Sequence, residues 1–271
     1  MKKFEVENHE PSLLPEGEWK LAWADEFDGT ELDTTKWDYR LSMTGQRWPS
    51  WTDKGVHLDG KGNVVFTLIE EGGKLVCSQL QTGQNFMDEP VEATEFCGNK
   101  FNWRIGKLRE NRFTHGYGYY ECRCRLQQKP GWWSAFWIQS PIIGSSLDPK
   151  ESGVEIDIME CFKPGIIDGH NVFTGGYGLD NQRRQVGGLE DINREEFHRF
   201  GLLWDETGYT FYIDGVENGK ITDFITDKPE FILLSTEVRG YRKNGSFAVE
   251  AVDAIGDTFV VDYVRVFDKV K

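Results

Sequence analysis

The chain has 271 residues, a formal net charge of −14, and 38% hydrophobic side chains that include ten Trp, nine Tyr and eighteen Phe. So acidic a surface repels nucleic acid and anionic membranes over most of its area, which excludes both as expected partners. No stretch approaches the ~18 apolar residues of a membrane span, and all-β chains of this length often form one domain.

In chain order, residues 1–18 read as a polar N-terminal arm, without the apolar run of about 7–15 residues that marks a signal peptide. Residues 19–271 read as a single domain whose first strand lies near Trp19. Trp48 and Trp51, in RWPSWTD, fall on a proline-containing loop, a setting that favours binding over core packing. Alternating apolar and polar residues then predict strands at 63–70, 117–126, 154–160, 199–205, 209–215, 230–238 and 258–268. Thirty glycines and dipeptides such as Asp59-Gly60, Asp168-Gly169 and Asp214-Gly215 punctuate them. YTFYIDGVENGK reads as a hairpin turning at Asp214-Gly215. One short helix is expected within 189–200. Many short strands with turn punctuation imply an all-β sandwich or barrel. The five cysteines, Cys77, Cys97, Cys122, Cys124 and Cys161, are an odd number without zinc-site spacing. They read as buried thiols, which suits a reducing compartment.

The segment GVEIDIMECF, residues 153–162, puts three acids into an apolar strand. Side chains alternate faces along a strand, so Glu155 and Asp157 share one face while Ile156 and Ile158 take the other. Glu160, five positions from Glu155, would be buried with the isoleucines, at a cost of several kcal/mol for an unpaired carboxylate. A β-bulge at Ile158-Met159 restores all three acids to one face. Glu155 and Glu160 then behave as positions i and i+4, with backbones ~13 Å apart at ~3.3 Å per residue. If each side chain reaches roughly 4 Å inward, the gap is about 5 Å, the spacing of a retaining glycosidase. Asp157 lies between them, placed to hydrogen-bond and steady one glutamate, Glu155, and to raise a neighbour's pKa. Glu160, flanked by Met159 and Cys161, is expected to be the neutral partner. Two rival readings are a solvated acidic face, which like-charge repulsion disfavours, and a calcium site, which usually needs a loop.

With EIDIME matching E-x-D-x-x-E at every defined position, the chain resembles glycoside hydrolase family 16 over about residues 19–268. LAWADEFDGTELDTTKW, THGYGYYECRCRL, WWSAFWI and VVDYVRVFD carry the rest of the resemblance. It implies a β-jelly-roll sandwich of two curved antiparallel sheets with a concave cleft, and retaining endo-hydrolysis of a β-linked polysaccharide. Glu155 becomes the nucleophile, Asp157 the assisting acid and Glu160 the general acid/base. A β-1,3-glucan of laminarin type or a mixed-linkage glucan is the expected substrate. The alternatives are an agar-, porphyran- or carrageenan-type galactan, transglycosylation on the same fold, and a lectin-like module. Ser134 stands where laminarinase-like members carry Pro, and Phe173 where a second histidine is expected beside His170.

Trp133 and Trp137, four apart on one strand face, are expected to stack on sugar rings. His170 is placed to hydrogen-bond a glutamate or a sugar hydroxyl. Arg183, and Arg239 with its neighbours Arg242 and Lys243, form basic islands suited to an anionic sugar substituent. No organic cofactor is required. Some family members hold a structural calcium between the first and last strands, where Glu26 and Asp262 lie here. The family is usually secreted, whereas the cysteines and the N-terminus point to the cytoplasm. A monomer is expected.

Overall fold

The computed structural model describes residues 1–88, 108–177 and 180–270, so Cys97 lies outside the described residues. Two large antiparallel sheets pack face to face. One orders the strands Gln182–Val186, His170–Thr174, Glu155–Cys161, Trp132–Gln139, Phe231–Val238, Gln79–Gln81 and Asp38–Tyr39. The other runs Val216–Ile221, Gly208–Ile213, His198–Asp205, Gly118–Arg125, Thr258–Lys269, Val64–Thr67 and Val56–Leu58, with Trp19–Asp25 also paired to the long Thr258–Lys269 strand.

The core fills the space between the sheets because one side-chain parity of each strand is apolar. Phe136, Ile138, Ile156, Ile158, Met159 and Val172 come from the first sheet. They meet Tyr120, Cys122, Cys124, Phe200, Leu202 and Phe211 from the second. Cys77, Cys122, Cys124 and Cys161 are buried free thiols, as their strand parity predicts. The hairpin forms at Asp214-Gly215, where φ is +48° and +78°, the paired left-handed conformation that a two-residue turn between Ile213 and Val216 requires.

Two expectations are corrected. No helix forms in 189–200: Leu189 pairs with Ile167, Asp191 takes φ of +60°, and the chain turns at 193–196 before the strand His198–Asp205 begins. Nor are residues 1–18 a free arm. Lys2–Val6 and His9–Leu14 form an antiparallel hairpin laid on the outer face of the second sheet. Phe4 packs edge-on to Phe267 at 5.0 Å, and Leu14 is buried with Tyr119 and Phe267. Arg265 donates to the Glu10 carbonyl at 2.8 Å and to Ser12 Oγ at 2.9 Å. The few apolar residues of this segment are spaced among charges, and only the receiving sheet shows that they have somewhere to go.

Candidate active site

Across Trp132–Gln139 the strand Glu155–Cys161 pairs Glu160 with Ala135, Met159 with Phe136, and then Asp157 with Trp137, so Ile158 is the extra residue. The bulge falls where the parity argument requires it. Ile156, Ile158 and Met159 are all fully buried in the core, while Glu155 and Glu160 remain partly exposed. Glu155, Asp157 and Glu160 consequently line one cleft on the outer face of the first sheet.

Cross-strand pairing lays the site out in rows. Gln139, Glu155, Phe173 and Arg183 form one, and Trp137, Asp157, Asn171 and Gln185 the next. Trp133 and Trp137 both line the cleft with Arg40, Gln79, Tyr177, Ser235, Glu237 and Arg242. Trp137 is a mostly buried floor whose Nε1 donates to Ser235 Oγ at 2.8 Å. Trp133 is more exposed, packing on Phe162 at 5.4 Å beneath the Arg242 guanidinium.

The two glutamates occupy different fields. Glu155 Oε2 accepts from Gln139 Nε2 at 2.6 Å, and burial raises its carboxyl above the ordinary value while the Arg40 and Arg242 charges oppose that rise. Glu160 accepts from Asn171 Nδ2 at 2.9 Å. Burial first, and then the facing Glu155 charge, push it up to about 7. Asp157 is raised well above the carboxylate range by burial and by both glutamates. It hydrogen-bonds Glu160 and Asn171, so it steadies Glu160 where the sequence pointed to Glu155. One ionised and one protonated carboxyl on a shared face is the pairing that acid-assisted glycoside cleavage needs.

Several expected binding residues lie elsewhere. His170 has the wrong parity: it is fully buried between the sheets, stacked on Phe211 at 4.5 Å and bonded to the Ile158 carbonyl and Asn218 Oδ1. Its neighbour Asn171 faces the cleft in its place. Trp51 is 2% exposed and belongs to the core, with Arg40 over its ring. Trp48 is only partly buried and borders the cleft through Glu237 Oε1, to which its Nε1 donates at 2.9 Å. Arg183 is exposed on the edge strand over Phe173. Arg239 does not line the cleft, whereas Arg242 does, joined to Glu237 at 3.1 Å.

Glu26 and Asp262 do not fit a cation. Arg265 grips Glu26 with both ends of its guanidinium at 2.8 and 2.7 Å, and Arg123 takes Asp262 at 2.6 Å. Among the described residues no three His, Cys, Asp or Glu side chains converge as metal ligands. Sequence reasoning missed Arg40, Gln139, Asn85, Asp88, Tyr177 and Glu237. Their isolated positions carry no motif, and only the fold brings them beside Glu155.

The profile of Glycosyl hydrolases family 16 matches residues 50–230. The chain belongs to this family. It is 27% identical to glucan endo-1,3-beta-glucosidase A1 of Niallia circulans over 91% of its own length, and spans 37% of that relative. It is 28% identical to the beta-glucanase of Rhodothermus marinus, covering 92% of this chain and 85% of the relative. With beta-porphyranase B of Phocaeicola plebeius it shares 25% identity over 98% and 91% of the two chains. The crystal structure of the Rhodothermus marinus laminarinase superposes with a TM-score of 0.68 at 23% identity, over 95% of this chain and all of that one. The family-16 fold is therefore that of the whole described sandwich, and the chain is a glycoside hydrolase.

Proposed function

We propose that this family-16 enzyme cleaves internal β-linkages of a β-1,3-glucan or mixed-linkage glucan with retention of configuration. The observation that carries the reading is the bulge at Ile158, which turns Glu155 and Glu160 to one face, where burial raises both carboxyls but arginines oppose the rise at Glu155 and a facing carboxylate adds to it at Glu160. Glu155 attacks the anomeric carbon while Glu160 gives its proton to the departing glycosidic oxygen. Glu160 then takes a proton from the water that hydrolyses the glycosyl-enzyme. Trp133 supplies an apolar face for a pyranose ring above the Trp137 floor.

The glucanases among the relatives support a glucan. So does the pairing of the cleft arginines: Arg40 is held by Asp88 and Arg242 by Glu237, which lowers their appetite for an added anion. A second reading, an anionic β-galactan, draws on the half-exposed Arg242 guanidinium over Trp133 and on the porphyranase relative. Initial rates on laminarin, lichenan, agarose, porphyran and carrageenan decide between them. Fastest cleavage of laminarin or lichenan is expected, with the β-anomer formed first in proton NMR. Cleavage of porphyran or carrageenan alone transfers the assignment to the galactans. Added acceptor sugars separate hydrolysis from transglycosylation.

A further inference from the structure

We propose that Gln139 is a positioning residue for Glu155, locked as a hydrogen-bond donor by a buried relay of Asn85 and Asp88 that is anchored on Arg40. This inference rests on the reading of Glu155 as the nucleophile.

A glutamine amide is ambiguous by itself, since its oxygen and nitrogen ends have the same shape. Here the choice is made two residues away. The Asp88 backbone N–H, which only donates, points at Asn85 Oδ1 at 3.0 Å. Asn85 Nδ2 then lies 3.2 Å from Asp88 Oδ2 and also donates to Gln139 Oε1. With its oxygen taken, Gln139 has only its NH2 for Glu155. The Asp88 carboxylate meets donors on both oxygens: the Thr44 N–H at 3.2 Å on one, and Arg40 Nε at 2.7 Å on the other. Arg40 Nη2 also donates to the Tyr177 hydroxyl at 2.6 Å. Arg40, Asn85, Asp88 and Gln139 are each at most 2% exposed, so water cannot replace a lost partner. Asn85 and Asp88 do not line the cleft, and at that depth their polar atoms are satisfied by one another, by Gln139 and by Arg40.

The relay gives Glu155 a permanent charge-assisted donor on Oε2 and leaves Oε1 for the anomeric carbon. The other charged groups facing Glu155 are Arg40 and Arg242, which favour its ionised form, and Asp88, which disfavours it. Asp157, Glu160, Glu230 and Tyr177 also interact with it. None of these is changed in the variants that follow.

The test is the pH profile of kcat/KM for Gln139→Met and Asn85→Leu, on the polysaccharide cleaved fastest in the screen above, with melting curves to establish folding. Gln139→Met removes the donor. Asn85→Leu adds no charge and removes the donor that holds Gln139 Oε1, so the amide is free to turn its oxygen toward Glu155. Gln139→Met should move the acid limb upward by about one pH unit, and lower kcat/KM about tenfold below it, with KM unchanged, and Asn85→Leu should move the limb in the same direction. A merely structural role would lower the melting point and leave the limb in place. An unmoved limb in folded Gln139→Met, or a shift there that folded Asn85→Leu does not share, overturns the relay while an inactive Glu155→Gln upholds the nucleophile. An active Glu155→Gln overturns both.

Discussion

Two sets of carboxylates, one around the buried Glu121 and one around the buried Asp157, lie on opposite outer faces of this sandwich. On the second sheet, Glu121 is fully buried yet surrounded by donors: Tyr263 Oη at 2.7 Å and the Leu13 N–H at 3.0 Å, with Glu26 held by Arg265 nearby. On the first sheet, Glu155, Asp157 and Glu160 face one another, and Glu160 has a carboxylate as its chief electrostatic neighbour. Both sets sit on the outward face of their strands, Glu160 through the bulge at Ile158. Depth and charge alone therefore do not mark an active site. Burial raises Glu121 as well, but the donors around it oppose the rise, whereas in the cleft neighbouring carboxylates add to it at Asp157 and Glu160.

The largest effect is expected at Glu155. Glu155→Gln should fold and lose at least about a thousandfold in kcat, since it removes the attacking charge and keeps the shape. A variant keeping a tenth of the parent rate on the best polysaccharide would return Glu155 to the structural set.

Glu160→Ala should be nearly inactive on polysaccharide but hurt far less with an activated aryl glycoside, whose leaving group departs without a proton. Added azide should then yield the β-glycosyl azide. In the parent enzyme the alkaline limb of kcat/KM should lie at about pH 7, with activity falling as pH rises and Glu160 loses its proton. An azide product of inverted configuration would exchange the roles of Glu155 and Glu160.

On the other sheet the same kind of substitution should read out as stability. Arg265→Met strands Glu26 and frees the Glu10 carbonyl, and should cost roughly 3–5 kcal/mol of unfolding free energy. The folded fraction should keep its kcat/KM. Lost activity without lost stability would tie this face to the cleft.

The smallest effect is a sign reversal in the cleft. Glu160 has its proton affinity raised by folding, from an ordinary 4.5 to about 7. The folded state is therefore favoured below pH 4.5, and that advantage is lost as pH rises to about 7, beyond which the penalty is constant. Glu160→Gln should match the parent melting point near pH 4 and exceed it by roughly 5–7 °C at pH 8. A variant equally or less stable at pH 8 would mean that folding does not raise the proton affinity of Glu160.

The all-β class, the thiol burial, the Asp214-Gly215 turn and the bulge at Ile158 were legible in the sequence, because each depends on local parity or backbone preference. Parity read from EIDIME alone demanded an irregular residue between Asp157 and Glu160, and that residue is Ile158. The resemblance to family members with histidines on the following strand put His170 in the cleft, when the residue that reaches Glu160 is Asn171. Which side of a strand faces the cleft is set by the neighbouring strand, not by the residue itself. The hairpin at the N-terminus, the arginines that neutralise Glu26 and Asp262, and the Arg40–Asp88–Asn85–Gln139 relay were decided by tertiary structure. Their partners are tens to hundreds of positions apart, and a polar side chain carries no mark in sequence of the partner that will satisfy it.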